Sequence, residues 1–104
     1  MKTTLTSADT VDIPNIKHAA SGETVIVTTQ GDADDFTWNI EFSLNEGTAW
    51  KKYKDPAGET EFSGSDSKVV IVPSEASPLG AEEIKRVNIV DMGTATEVIV
   101  GLSA

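Results

Sequence analysis

FTWNIEFSLNEGTAWKKY, residues 36–53, holds both tryptophans, the single tyrosine and two of the three phenylalanines of a 104-residue chain. Its first half has a period of two: Phe36, Trp38, Ile40, Phe42 and Leu44 alternate with Thr37, Asn39, Glu41, Ser43 and Asn45. Successive side chains of a strand point to opposite faces, so this pattern predicts a strand with one apolar face and one wet face. Asn45-Glu46-Gly47-Thr48 follows, where glycine supplies the positive φ that a tight reversal needs. Residues 49–54 are expected to return, which makes 36–54 an antiparallel hairpin. Trp38 shares the parity of Phe36, Ile40, Phe42 and Leu44 and belongs to the core.

The same signals recur outward from this hairpin. Residues 23–30 (ETVIVTTQ) are rich in β-branched side chains, which suit a pleated surface. Residues 59–63 form a short strand candidate between Pro56-Ala57-Gly58 and Gly64-Ser65-Asp66. Residues 68–72 (KVVIV) are a continuous apolar run of the kind found in a fully buried strand, and Pro73 ends it. Residues 84–90 and 96–102 are predicted to form a second hairpin around Asp91-Met92-Gly93-Thr94, and residues 10–13 a short strand stopped by Pro14. The one helical candidate, residues 77–83, is limited to about one turn by Gly80 and the β-branched run after it. About eight short strands at ~8–12-residue spacing predict an all-β fold. Its form is a single-domain antiparallel β-sandwich or jelly-roll-like arrangement over residues 10–104. Residues 1–9, polar and threonine-rich, read as an N-terminal arm that orders on a partner.

Bulk properties narrow the function classes. A net charge of −9 disfavours phosphate backbones and anionic membranes, both of which need clustered Lys and Arg, so neither nucleic acid nor membrane is expected as a partner. With no cysteine, disulfides and thiolate metal sites are excluded. MKTTLTSADTVDIP lacks an apolar core segment, and no run approaches the ~20 residues of a membrane span, so synthesis in a cytoplasm without signal peptide is expected.

Catalysis finds little to work with. The one histidine, His18, sits in NIKHAASG without a nucleophile beside it and reads as a solvated loop residue. The carboxylates are too many to single out a glycosidase pair. Asp32, Asp34 and Asp35 form a weak calcium candidate, but the EF-hand spacing fails because Phe36 takes the fifth position. The reading is therefore no enzyme, no cofactor and no metal site. Lys51, Lys52 and Lys54 form a local positive strip on an acidic chain, either a contact surface or the wet face of the return strand. Trp50 is not settled by parity, because Ala49-Trp50-Lys51-Lys52-Tyr53 does not alternate cleanly.

Two phrases resemble small β-sandwich structural proteins of tailed bacteriophages, of the head decoration (cement) or tail/fibre-adaptor type. Ser43-Leu44-Asn45-Glu46-Gly47-Thr48-Ala49-Trp50 is similar to their Ser-Leu-Asp-Gly-Gly-Thr-x-Trp hairpin. Arg86-Val87-Asn88-Ile89 followed by Gly93-Thr94-Ala95-Thr96 is similar to their closing Arg-Val-x-Val and Gly-Thr-x-Thr-Val, with Glu97 inserted before Val98. The resemblance spans about residues 23–102. It implies a virion protein, most simply a capsid decoration protein that works as a homotrimer bound to the major capsid protein or another virion protein. On that reading, contacts are expected at Thr3, Thr4, Leu5 and Thr6 of the arm, at Lys51, Lys52 and Lys54, and at Pro78 and Leu79 in the 73–83 loop. Sugar-binding sandwiches share the strand, Gly-Thr-x-Trp, strand phrase, and a carbohydrate-binding module would use Trp50 and Tyr53.

Overall fold

The computed structural model describes residues 2–13, 23–30, 35–43, 47–63, 68–72 and 84–103. Their strands are, in chain order, β1 (Lys2–Leu5), β2 (Thr10–Ile13), β3 (Glu23–Gln30), β4 (Thr37–Ser43), β5 (Lys51–Lys52), β6 (Phe62–Ser63), β7 (Lys68–Val72), β8 (Ile84–Asp91) and β9 (Glu97–Ser103). The described residues form no helix, so none is long and apolar enough to cross a membrane. The expected turn at 77–83 lies outside them. The strands make two sheets, every pairing antiparallel. One runs β1-β9-β3-β7; the other runs β2-β8-β4, with β5 and β6 both on the free side of β4. The two pack face to face as a β-sandwich, and one apolar cluster fills the space between them.

The core face of the first sheet is aliphatic. Val25, Val27, Val70, Val72, Val98, Val100 and Leu102 are all buried, and β3 pairs with β9 over seven residues, Thr24 to Gln30. We call this the valine sheet. The second, the aromatic sheet, contributes Trp38, Ile40, Tyr53, Phe62, Val87 and Ile89. Trp38 and Phe62 are register partners on β4 and β6, with ring centroids 4.7 Å apart at 48°, a tilted pairing that adds to their burial.

The hairpin of residues 36–54 forms, with a shorter return than the pattern predicts. Glu41 faces Lys52 and Phe42 faces Lys51, and the Tyr53 amide donates to the Ile40 carbonyl at 2.7 Å. The chain then leaves the sheet and returns as β6. The excursion is closed by the Asp55 side chain, which accepts from the Glu59 amide at 2.7 Å. Parity holds for Phe36, Trp38 and Ile40, all buried. Phe42 is half-buried, and Asn39 and Ser43 are buried although they lie on the face expected to be wet. Leu44, Asn45 and Glu46 lie outside the described residues; Gly47 has the positive φ expected of it, 88°.

One sequence expectation is corrected. Strands β8 and β9 are not a hairpin: they belong to opposite sheets. The Asp91–Thr96 connection arches across the end of the sandwich, where half-buried Met92 and Ala95 pack on the core. Asp91 Oδ1 accepts from the Gly93 amide at 2.8 Å, shaping the turn. The apolar rows Val87, Ile89 and Val98, Val100 therefore face each other across the interior. Among the described residues β7 pairs only with β3, at the margin of the valine sheet, and its Val70 and Val72 are buried. The expected arm over 1–9 includes β1, whose backbone partner is the chain's own β9, with Thr3 opposite Val100 and Leu5 opposite Val98. With β1 included, the described strands number nine.

Candidate functional site

The outer face of the aromatic sheet carries an ordered row of alternating charge. Asp12 is the register partner of Arg86, Arg86 of Glu41, and Glu41 of Lys52. Directly opposed side chains on one face of a sheet lie close enough to interact, and three of these four charges are held in ion pairs. Arg86 Nε donates to Glu41 Oε1 at 2.8 Å, with side chains 26% and 14% exposed. Lys52 Nζ donates to Glu61 Oε2 at 2.9 Å, with both side chains about half exposed. In the next row Asn88 Nδ2 donates to Asn39 Oδ1 at 3.4 Å.

Trp50 lies over this row. The Arg86 Cζ sits 3.8 Å from the centroid of its ring, a stacked guanidinium held in place on its other side by Glu41. The indole Nε1–H donates to the Gly47 carbonyl at 3.1 Å, and the Gly47 amide donates to Ser43 Oγ at 3.0 Å. The Gly47-Thr48-Ala49-Trp50 turn is thus tied to β4 at its Gly47 end and closed on itself by the indole. A Cβ at Gly47 would meet Trp50 Cζ2 at 3.4 Å and Ile84 Cδ1 at 3.7 Å, ordinary contacts, so it is the positive φ that calls for glycine here. Beside the ring lies a cleft of about 200 Å³ lined by Asp12, Ile13, Trp50, Ile84 and Lys85. Half-buried and cradled, Trp50 is neither a core residue nor a free platform.

The predicted site residues disperse. Lys51 and Lys52 are adjacent on one strand and so belong to opposite faces; Lys51 and Lys54 are exposed, and the strip is not one surface. Tyr53 is 7% exposed and offers no ring face to a sugar. Its phenol is held above the usual tyrosine range, first by burial and then by the nearby Asp55 carboxylate. Thr3, Thr4 and Leu5 lie on β1, with Thr6 exposed just beyond it. Pro78 and Leu79 lie outside the described residues, as do Asp32 and Asp34. Asp35 is exposed in the left-handed region, φ 61°. Among the described residues no group of three His, Cys, Asp or Glu is placed to hold a metal ion.

Sequence reading missed Arg86, Glu41 and Asp12 as members of one constellation, because pairing between distant strands brings them together. One signal was available: Arg86 is the chain's only arginine. The other outer face, that of the valine sheet, is different in kind. Lys2, Thr24, Ile26, Thr28, Ile99 and Gly101 line a shallow groove of about 450 Å³ along β3 and β9. The chain matches no family model, no curated protein and no solved structure.

Proposed function

We propose that the chain is a non-enzymatic structural protein of a tailed-bacteriophage virion, a capsid decoration (cement) protein that binds and stabilises the head shell. The observation that carries this reading is the prearranged Trp50–Arg86–Glu41 stack. The phrases that resemble the phage proteins contribute Trp50 through Ser43–Trp50 and Arg86 through Arg86–Ile89, so the family-like segments and the built surface coincide. Tryptophan and arginine are the residues that dominate protein interfaces when they are anchored in place before binding. The partner is the major capsid protein or another virion protein, met by the outer face of the aromatic sheet.

The test is co-sedimentation with empty heads of the phage that carries the gene. Trp50→Ala should weaken binding by about 30-fold or more, the weight of a hot-spot residue, while the melting transition stays cooperative. Lys52→Glu, on an exposed ion pair, should lower affinity without touching the fold. Wild-type protein that never sediments with heads, or folded Trp50→Ala that binds undiminished, would sink the proposal.

A second reading, a carbohydrate-binding or tail/fibre-adaptor module, rests on the cleft beside Trp50. Arg86 already occupies one face of the indole, which leaves a sugar only the other. Glycan binding that is lost in Trp50→Ala and unaffected by competing heads would move the assignment there.

A further inference from the structure

We propose that the cleft beside Trp50 receives a basic side chain, lysine or arginine, from a protein partner. Asp12 takes its charged head, and Ile84 with the open part of the indole takes its aliphatic stem. Such a contact rests on the function proposed above, in which the outer face of the aromatic sheet meets another protein. It specifies the chemistry which that protein presents at one point.

The row of charge is incomplete at one end. Arg86 is paired with Glu41, and Lys52 with Glu61. Asp12 is exposed and makes no ion pair among the described residues. Its register partner, Arg86, is drawn toward Glu41 and the indole. On the other side of Asp12, no described strand pairs with β2. Three carboxylates, Asp12, Glu41 and Glu61, thus stand with two cations, Arg86 and Lys52, and Asp12 is the one left over. Lys85 also lines the cleft but is already committed. It shares the parity of buried Val87 and Ile89, so it leaves β8 on the core side. It is 4% exposed and holds a contact of its own.

The walls suit an aliphatic stem. Ile84 is 44% exposed, and its Cδ1 and Trp50 Cζ2 both lie within 4 Å of one point beside Gly47, so the two apolar groups converge. Buried Ile13 completes the apolar lining. At about 200 Å³ the cleft is smaller than the ~300–1,000 Å³ typical of small-molecule sites, and a single side chain is an occupant of matching size. Long basic side chains bury their methylenes on apolar surface while the head stays with a polar partner. A protein that covered Asp12 without supplying a cation would strand a carboxylate away from water, which is costly. The net charge of −9 also draws a basic surface toward the chain.

The probe is Nα-acetyl-lysine amide, titrated into the full chain while the indole Nε1–H resonances are followed by NMR. The chain has two tryptophans, and Trp50→Phe tells their signals apart. The Trp50 signal should move along a saturating curve while that of buried Trp38 stays still. Nα-acetyl-norleucine amide keeps a stem and lacks the charge, and should bind about fivefold more weakly or worse. Asp12→Asn, at an exposed and unpaired position, should leave the melting temperature unchanged and weaken the lysine probe by a similar factor. In co-sedimentation with heads, Asp12→Asn should lower affinity about tenfold at low salt, and the gap should narrow as salt screens the contact. An unmoved Trp50 signal, an equal response to both probes, or a full response in Asp12→Asn would overturn the proposal. Heads that bind Asp12→Asn undiminished would overturn it too, and leave shell binding standing. Wild-type protein that takes the lysine probe but ignores heads would uphold the cleft and remove shell binding instead.

Discussion

The two sheets of the sandwich solve one problem in opposite ways. The valine sheet has long, regular pairing, a core of small branched side chains and an outer groove lined mostly by threonine, isoleucine and glycine. The aromatic sheet has a register shift between Thr37 and Trp38, a free edge broken into β5 and β6, large rings inside and a row of alternating charge outside. Regular pairing lets many small residues share the burial, so no single side chain of the valine sheet is decisive. Irregular pairing concentrates burial in a few rings and leaves space for Trp50 to fold back over Arg86. Stability is therefore spread in one sheet and localised in the other, and the localised one also carries the most elaborate surface.

The largest expected effect tests that contrast directly. Trp38→Ala should cost about 3–5 kcal/mol, the usual loss for a large buried aromatic ring, because the ring is 2% exposed and its contact with Phe62 disappears with it. Val25→Ala, at a position of zero exposure, should cost only about 2 kcal/mol, since two methyl groups leave and the cavity is small. Both are read from urea unfolding at fixed m-value. Equal losses would break the distinction between spread and concentrated burial.

How much of this was legible follows from what a linear pattern records. The strand at residues 37–43 and the glycine at 47 were readable, because period and turn chemistry are local. The second hairpin was misread because Val87, Ile89 and Val98, Val100 show the same alternation whether β8 and β9 lie side by side or face each other across a core. The run KVVIV was readable as a strand with buried side chains, but its single neighbour among the described strands, β3, was not, since apolarity reports burial of side chains and not how many backbone neighbours a strand has. Asn39 and Ser43 were assigned to solvent by parity. They are covered because β4 is central and the Gly47–Trp50 turn lies against its outer side. The Asp12–Arg86–Glu41–Lys52 row required the register of four strands, which no single segment contains.

A smaller effect separates the two ion pairs of the aromatic sheet. In a double-mutant cycle, Glu41→Gln with Arg86→Met should show a coupling of about 1–2 kcal/mol, because the pair is largely screened from water and shares a charge-assisted hydrogen bond. The same cycle on Lys52 and Glu61 should give less than about 0.5 kcal/mol, as both side chains stand half in solvent and pay entropy to meet. If the two couplings match, the outer row is an ordinary wet face, and Trp50 has not drawn Arg86 and Glu41 into a shielded cluster.

The smallest effect is silent at neutral pH and concerns Tyr53. Its phenol titrates above the ordinary tyrosine value of 10.0 in the folded chain, because burial, and after it the Asp55 carboxylate, oppose the phenolate. Between the unfolded and folded pKa the native state therefore holds a proton that the unfolded chain has released. Stability is fully present below the unfolded value and falls as pH rises from there toward the folded one. Tyr53→Phe has no proton to lose, so its melting temperature should decline less steeply over that alkaline range than the wild type's. Among the described residues the core of the valine sheet contains no titratable side chain, so Val25→Ala should keep the wild-type alkaline slope. If Tyr53→Phe keeps it too, the weakness at high pH does not reside in the aromatic sheet, and the asymmetry between the sheets is one of shape alone.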